Sequence, residues 1–177
     1  MEFFPFPDKA ACLEELKRDK YAARIPSGDW QGILEAAWNR GESAARDCFQ
    51  QGKPDIYKVV ECANLQINRI DRDMVVGGTR YFAEIYVKTG TINIYTPSVA
   101  LWALSNSLTE RQAEELILAH EYFHYLEYTV LPPAKSIYKL PVLRLFGRTL
   151  AHAGLRSVSE IGAHSFTRAY YQMIMEP

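Results

Sequence analysis

The chain has 177 residues, of which 48% are hydrophobic and 23% charged, and its formal net charge is -1. This size suits one domain with a hydrophobic core, and the small charge excludes a global electrostatic attraction to nucleic acid or to an anionic membrane. No apolar run approaches the roughly 20 residues of a membrane-spanning helix, and the N-terminus lacks the pattern of a secretion signal. The three cysteines, Cys12, Cys48 and Cys62, have no CxxC spacing. We therefore expect a cytoplasmic protein with reduced thiols.

The first half of the chain predicts helices followed by a small antiparallel sheet. Apolar residues recur at helical spacing from Ala10 to about Lys20 and from Trp30 to about Gln51. A shorter helix is predicted after Asp55, followed by a short strand in QINRI, residues 66–70. Residues 80–96 then alternate apolar and polar side chains on both sides of a Thr-Gly pair. This alternation predicts a β-hairpin with a two-residue turn.

A long helix is predicted over the segment SNSLTERQAEELILAHEYFHYLEYT. Its start carries two overlapping capping-box patterns, which are Ser107 with Glu110 and Thr109 with Gln112. The helix is expected to end near Thr129, because Pro132 and Pro133 cannot continue it.

Residues 136–175 are predicted to form two further helices, split around the loop AHAGLRS. Basic and apolar residues are interleaved along the stretch that contains the first of them: Lys135, Lys139, Leu140, Leu143, Arg144, Phe146, Arg148, Leu150 and Arg156. Such a helix packs its apolar face on the protein and leaves its charges in solvent; the alternative is a surface that binds a membrane or a partner. Because helices come before and after a small antiparallel sheet along the chain, we expect a fold of the α+β class.

The motif HEYFH in the long helix contains His120, Glu121 and His124. Residues four apart lie on the same side of a helix, so both imidazoles can reach one ion. An apolar stripe in residues 113–117 continues that side and predicts that it packs inward. Glu121 lies about 100° round the helix from His120, where it suits a general base that takes a proton from a water activated by zinc. The alternative is a pair of histidines that bind nothing.

A catalytic zinc takes three protein ligands and leaves one position for water, so a third ligand is needed. The remaining candidates are the other histidines and the downstream acids: His152, His164, Glu127, Glu160 and Glu176. Glu127 would have to bend back along the helix to reach the ion, which favours a role outside the metal's own ligand set. Glu160 opens a predicted helix that can face the long helix, and we favour it as the third ligand.

Two alternatives to ligation by Glu160 remain open. Ser157 and Glu160 have the spacing of a capping box, in which the carboxylate bonds a backbone N–H. His164 lies one turn beyond Glu160 and could be a ligand in its place, or could orient it by a hydrogen bond. Three tyrosines are possible donors to a transition state: Tyr138, Tyr170 and Tyr171.

These motifs resemble those of gluzincin-type zinc metallopeptidases, and most of all those of the ImmA/IrrE family. Residues 91–128, from TINIYT to HEYFHYLEY, are similar to the hairpin strand, connecting loop and active-site helix of that family. Residues 160–174, EIGAHSFTRAYYQMI, are similar to its third-ligand helix, although His164 stands where the family usually has Asn. Residues 54–70, PDIYKVVECANLQINRI, are similar to the helix and first strand that precede the sheet.

The resemblance implies a zinc-dependent endopeptidase that acts on a protein or peptide. Matched position by position, His120, His124 and Glu160 would bind Zn²⁺ and Glu121 would be the catalytic base. In such peptidases the strand beside the active-site helix offers its edge to an extended substrate, which here would be AEIYVK or TINIYT. The alternative function is a zincin-like regulatory or binding protein that recognises a protein partner without cleaving it.

The resemblance also implies a single zincin-like metallopeptidase domain over residues 1–177. Residues 1–54 would contribute N-terminal helices and residues 55–177 the catalytic core. Residues 131–156 form a long insert between the second histidine and the third-ligand helix. The N-terminal helices could be scaffold or a lid over the cleft.

Overall fold

A computed structural model describes residues 4–49, 55–145 and 148–175. Within these ranges the chain forms six α-helices and seven β-strands, which confirms the α+β class. The helices are α1 Lys9–Lys17, α2 Trp30–Cys48, α3 Ile56–Cys62, α4 Thr96–Ser105, α5 Glu110–Thr129 and α6 Arg156–Met175. The strands are β1 Gln66–Ile70, β2 Met74–Val76, β3 Thr79–Tyr81, β4 Ala83–Tyr86, β5 Thr91–Tyr95, β6 Leu140–Leu145 and β7 Arg148–Ala153. None of the helices in these ranges has the length and apolar character needed to cross a membrane.

Most of the predicted helices are confirmed, and their ends follow local capping chemistry. At the start of α5, Thr109 accepts the Gln112 N–H at 3.2 Å, and the Gln112 side chain accepts the Thr109 N–H at 2.9 Å. This is one of the two predicted capping boxes, and it fixes where the helix begins. α2 begins at Trp30 as predicted and ends at Cys48; its predicted end, Gln51, lies outside the described residues. The expected connecting loop before α5 contains a further helix, α4.

The main sheet has three strands in the order β1-β5-β4. β1 runs parallel to β5, and β4 runs antiparallel to it, with Tyr86 opposite Thr91. The predicted hairpin is therefore confirmed, but its turn has four residues, 87–90, and Gly90 supplies the left-handed backbone with φ 64°. Because β5 is paired on both sides, β4 is an edge strand.

The first of the two helices predicted for residues 136–175 is wrong. Residues 140–153 form an antiparallel hairpin of β6 and β7, in which Leu145 pairs with Arg148. Phe146, one of the residues on which the helix was predicted, lies outside the described residues. The sequence also fits a strand, because Leu143, Arg144 and Leu145 alternate with period two and Pro141 disfavours a helix interior. The second predicted helix is confirmed as α6.

α6 packs between α2 and α5, and glycines make this close approach possible. A Cβ atom on Gly41 of α2 would overlap the carbonyl oxygen of Gly162 in α6. A Cβ atom on Gly162 would lie 2.5 Å from the ring of Phe123 in α5. Ser165 of α6 also donates a hydrogen bond of 2.6 Å to the carbonyl of Trp38. The N-terminal helix α2 therefore belongs to the same packed interior as α5 and α6.

Candidate metal centre

The three residues favoured as metal ligands come together in the structure. Ligand atoms of His120, His124 and Glu160 all lie within 4.8 Å of one another. Nε2 of His120 is 3.3 Å from Nε2 of His124 and 3.4 Å from Oε2 of Glu160. Nε2 of His124 is 3.7 Å from the same carboxylate oxygen. Two imidazole nitrogens and a carboxylate oxygen form a donor set that zinc accepts, so this group could hold a metal ion.

Helix geometry and helix packing each provide part of this group. The continuous α5 places His120 and His124 one turn apart on the same side. Glu160 stands two residues before Gly162, at the position where α6 lies directly on the Phe123 ring of α5. The close packing of the two helices therefore brings the Glu160 carboxylate opposite both imidazoles.

The charges in the group are strongly coupled. Burial lowers the pKa of His120 to about 4. Burial also disfavours a charged His124, but hydrogen bonds to Glu127 and Glu160 outweigh it and raise the pKa of His124 to about 10. Burial would raise the pKa of Glu160, but its hydrogen bonds to the two histidines lower it well below its usual range. Hydrogen bonds to Glu127 and Glu160 thus favour the protonated imidazole of His124 in the metal-free chain, and a cation that bound there would compete with that proton.

The Glu121 carboxylate faces β4. Burial raises the pKa of Glu121 to about 7, against the opposing effects of the His124 charge and of the Ile85 backbone N–H. The Ile85 N–H belongs to the edge strand β4. Glu121 therefore lies between β4 and the group formed by His120, His124 and Glu160. A carboxylate with a pKa near neutrality is suited to accept and return a proton.

A polar network holds the outer side of His124. The Ser159 hydroxyl lies 3.2 Å from Nδ1 of His124 and donates to the Glu127 carboxylate. Glu127 also accepts a hydrogen bond of 2.5 Å from Arg40, and these two side chains are only 13% and 12% exposed. Arg40 in turn donates to the carbonyl of Pro132. The network supports the hypothesis that Glu127 acts outside the ligand set, since it fixes the orientation of the imidazole.

The outer side of His120 is different. Its Nδ1 atom is buried and has no hydrogen-bond partner among the described residues. The Phe6 ring stacks on its imidazole at a centroid distance of 5.7 Å and an interplanar angle of 18°. The ring of His164 lies 5.2 Å away on a tilted plane. Aromatic rings therefore surround His120, whereas polar groups surround His124.

The other predicted ligands stand apart from the group. His164 is buried, but its Nε2 lies 3.5 Å from Glu15 of α1, and its Nδ1 has no partner among the described residues. Within the described ranges His164 thus contacts Glu15, the His120 ring and the Phe6 ring, and not Glu160. His152 is exposed on β7. Glu176 lies outside the described residues.

The predicted capping box at the start of α6 does not form. The helix begins at Arg156, so Ser157 is already inside its first turn. The hydroxyl and the N–H of Ser157 both donate to Asp19, at 2.9 and 3.3 Å. Asp19 therefore takes the capping role, and the Glu160 carboxylate is directed at the histidines.

The three tyrosines considered as transition-state donors have other partners. Tyr138 donates a hydrogen bond of 2.7 Å to Asp29. Tyr170 is buried in the core, and Tyr171 packs against the ring of Phe4 at 5.2 Å. These contacts support a structural role for each of them.

Comparison with known proteins adds nothing to this geometry, since no family model, curated protein or solved structure matches the chain. The resemblance to gluzincin peptidases therefore stays a prediction. Sequence reasoning missed Arg40 and Ser159, the outer partners of His124. No spacing rule could have found them, because Arg40 is 87 residues from Glu127 and Ser159 is 35 residues from His124.

Proposed function

We propose that the chain is a zinc-dependent endopeptidase with a zincin-like site, as its resemblance to the ImmA/IrrE family implies. The observation that carries the proposal is the convergence of His120, His124 and Glu160, with Glu121 beside them. Three ligands leave a fourth tetrahedral position for water. When bound, Zn²⁺ would polarise a peptide carbonyl and lower the pKa of a water molecule. The three free cysteines support a cytoplasmic location for such an enzyme.

Glu121 is the general base in this proposal. Its carboxylate takes a proton from the attacking water and passes that proton to the nitrogen of the leaving amine. In the metal-free chain burial raises the pKa of Glu121 to about 7, and a bound cation beside it would lower that pKa again. Glu127 and Ser159 keep the His124 ring in place during these transfers.

An extended peptide is the substrate that fits β4. The Tyr95 N–H donates to the Phe82 carbonyl at 2.9 Å, and hydrogen-bonded pairs alternate along an antiparallel ladder. The backbone groups of Ala83 and Ile85 consequently point away from β5, towards the side on which Glu121 lies. Of the two strands predicted to receive a substrate, β5 is already paired on both sides, so the proposal assigns this role to β4.

The test compares the wild-type chain with Glu121→Gln. Both proteins are expected to bind one equivalent of zinc, and the variant is expected to cleave a peptide library roughly 10²–10⁴-fold more slowly, because it lacks the base. Unchanged cleavage by the variant would defeat the mechanism. Zinc binding by the wild type with no cleavage of any library would favour the alternative, a zincin-like protein that recognises a partner without cutting it.

A further inference from the structure

Three rings from three different helices surround the side chain of Phe6. Trp102 of α4 meets the Phe6 ring edge-on, with centroids 5.2 Å apart and an interplanar angle of 71°. His120 of α5 and His164 of α6 each lie 5.7 Å from it. Contacts of both the edge and the stacked kind favour an aromatic side chain in this position. We name the space enclosed by Trp102, His120 and His164 the aromatic pocket.

We propose that the aromatic pocket is a binding site for a phenylalanine side chain of a peptide, and that the chain's own N-terminal segment competes for it. As a substrate subsite the pocket rests on the proposed endopeptidase function. The face of the His120 ring contacts Phe6, while Nε2 of the same ring faces Glu160. Only the His120 ring therefore separates a side chain in the pocket from the candidate metal position.

The contacts that hold the N-terminal segment are of a kind that a separate peptide could replace. Residues 4–7, FPFP, precede α1 and belong to no helix or strand. Their side chains hold them in place. Phe6 fills the aromatic pocket, and the Phe4 ring packs against Tyr171. The guanidinium group of Arg168 lies over the Phe4 ring, 5.1 Å from its centroid. The two prolines have no N–H with which to join a β-ladder. A Pro-rich peptide is extended before it binds and loses little conformational entropy on docking between aromatic side chains.

The walls of the pocket also carry polar atoms that a peptide could satisfy. Nδ1 of His120 and Nδ1 of His164 are buried without a hydrogen-bond partner among the described residues. Buried polar atoms in proteins are normally paired, and leaving one unpaired costs free energy. The N-terminal segment leaves both nitrogens unpaired, so a peptide whose backbone N–H or carbonyl reached either of them would recover a cost that the segment does not.

The experiment uses the full chain with Glu121→Gln, so that no probe is cleaved. The probe is a fluorescently labelled peptide of sequence EFFPFP, which copies residues 2–7, and its binding is measured by anisotropy. Adding Phe6→Ala is expected to lower the Kd of EFFPFP about tenfold or more. The substitution removes the side chain of the tethered segment, which otherwise competes with the probe at high effective concentration. A second probe, EFFPAP, is expected to lose that gain. Leu13→Ala is the matched control, since Leu13 also packs an apolar side chain of the N-terminal region, but in a separate core cluster.

Equal binding of EFFPFP with and without Phe6→Ala would overturn the proposal, and so would equal binding of the two probes. Failure of the Phe6→Ala protein to fold, judged by circular dichroism and thermal unfolding, would also overturn it, because a ring required for folding cannot be exchanged. Trp102→Ala in the Phe6→Ala background is expected to abolish the gain in affinity. A chain that bound no zinc but bound the probes in the expected pattern would defeat the endopeptidase proposal alone.

Discussion

The two histidines of α5 stand one turn apart, yet the protein holds them by opposite means. Ser159 lies against Nδ1 of His124, backed by the buried pair of Glu127 and Arg40. Nδ1 of His120 has no partner among the described residues, and aromatic rings cover its imidazole. Hydrogen bonds orient a histidine ring through its nitrogen atoms, whereas aromatic packing orients it through edge and stacked contacts with neighbouring rings. Hydrogen bonds therefore orient the His124 ring, whereas aromatic contacts orient the His120 ring.

The polar network beside His124 has both a favourable and an unfavourable effect on the free energy of folding. Removing Arg40 and Glu127 from water is expensive, and their attraction offsets that cost only with good geometry and further hydrogen bonds. Arg40 donates one further hydrogen bond, to the Pro132 carbonyl, and its guanidinium group lies over the ring of Phe123 at 5.7 Å, but its Nε is unpartnered among the described residues. The network therefore serves the orientation of His124 more than the stability of the fold.

The largest effect is expected from removing the carboxylate group of Glu160, the third proposed ligand. Glu160→Ala takes away the carboxylate that faces both imidazoles, so zinc affinity is expected to fall more than about 100-fold, beyond the effect of losing an outer partner. His152→Ala is the control, because His152 is exposed on β7. Competition with a zinc chelator measures both variants. Equal zinc retention by the two would remove Glu160 from the site.

A smaller effect should distinguish the two sides of the site. Glu127→Ala removes the acceptor behind Ser159, so zinc affinity is expected to fall about 10–100-fold and the absorption bands of a bound Co²⁺ to shift. Glu15→Ala, on the other side, removes the carboxylate near His164 and is expected to change neither. The same chelator assay and a Co²⁺ titration measure both. If the two variants behave alike, the contrast between the two sides is wrong.

The contact between α2 and α6 can be tested by substituting two glycines of α2. Gly41→Ala places a methyl group on the backbone of α6, so the free energy of unfolding is expected to fall by about 1–3 kcal/mol. Gly32→Ala has nothing within 4 Å of the new methyl group and is expected to raise it by about 0.5–1 kcal/mol, since alanine is the better helix former. Urea unfolding measures both. Changes of the same sign in the two variants would contradict the close approach of α2 and α6.

The smallest effect concerns the thiol of Cys12, which lies next to the N-terminal segment. Cys12 is buried beneath the N-terminal segment, with its sulfur 3.9 Å from the Pro7 carbonyl, and burial raises the pKa of its thiol to about 12. The reactive thiolate is therefore scarce at pH 8. In a timed reaction with a thiol reagent, exposed Cys62 should react and Cys12 should not, in the wild type and in Phe6→Ala alike. Fast labelling of Cys12 in the variant would mean that α1 leaves together with the segment.

Local chemistry made part of the fold predictable. The capping residues Thr109 and Gln112 and the two prolines after Thr129 delimit α5, and these signals act within a few residues. The β6–β7 hairpin was missed because an alternating apolar and basic stretch fits period two about as well as a helical period over so few residues. α4 was missed because its start depends on β5, which the chain leaves directly at Tyr95.

The sequence by itself determined that His120 and His124 share one side of a helix, because a spacing of four residues fixes their relative direction wherever that helix forms. Only the tertiary structure decided what meets them there. Glu160 faces both imidazoles, Phe6 stacks on His120, and Arg40 pairs with Glu127 beside His124. The positions of Glu160 and Arg40 depend on how closely α2, α5 and α6 pack. That packing is a property of facing surfaces, and no spacing along one segment encodes it.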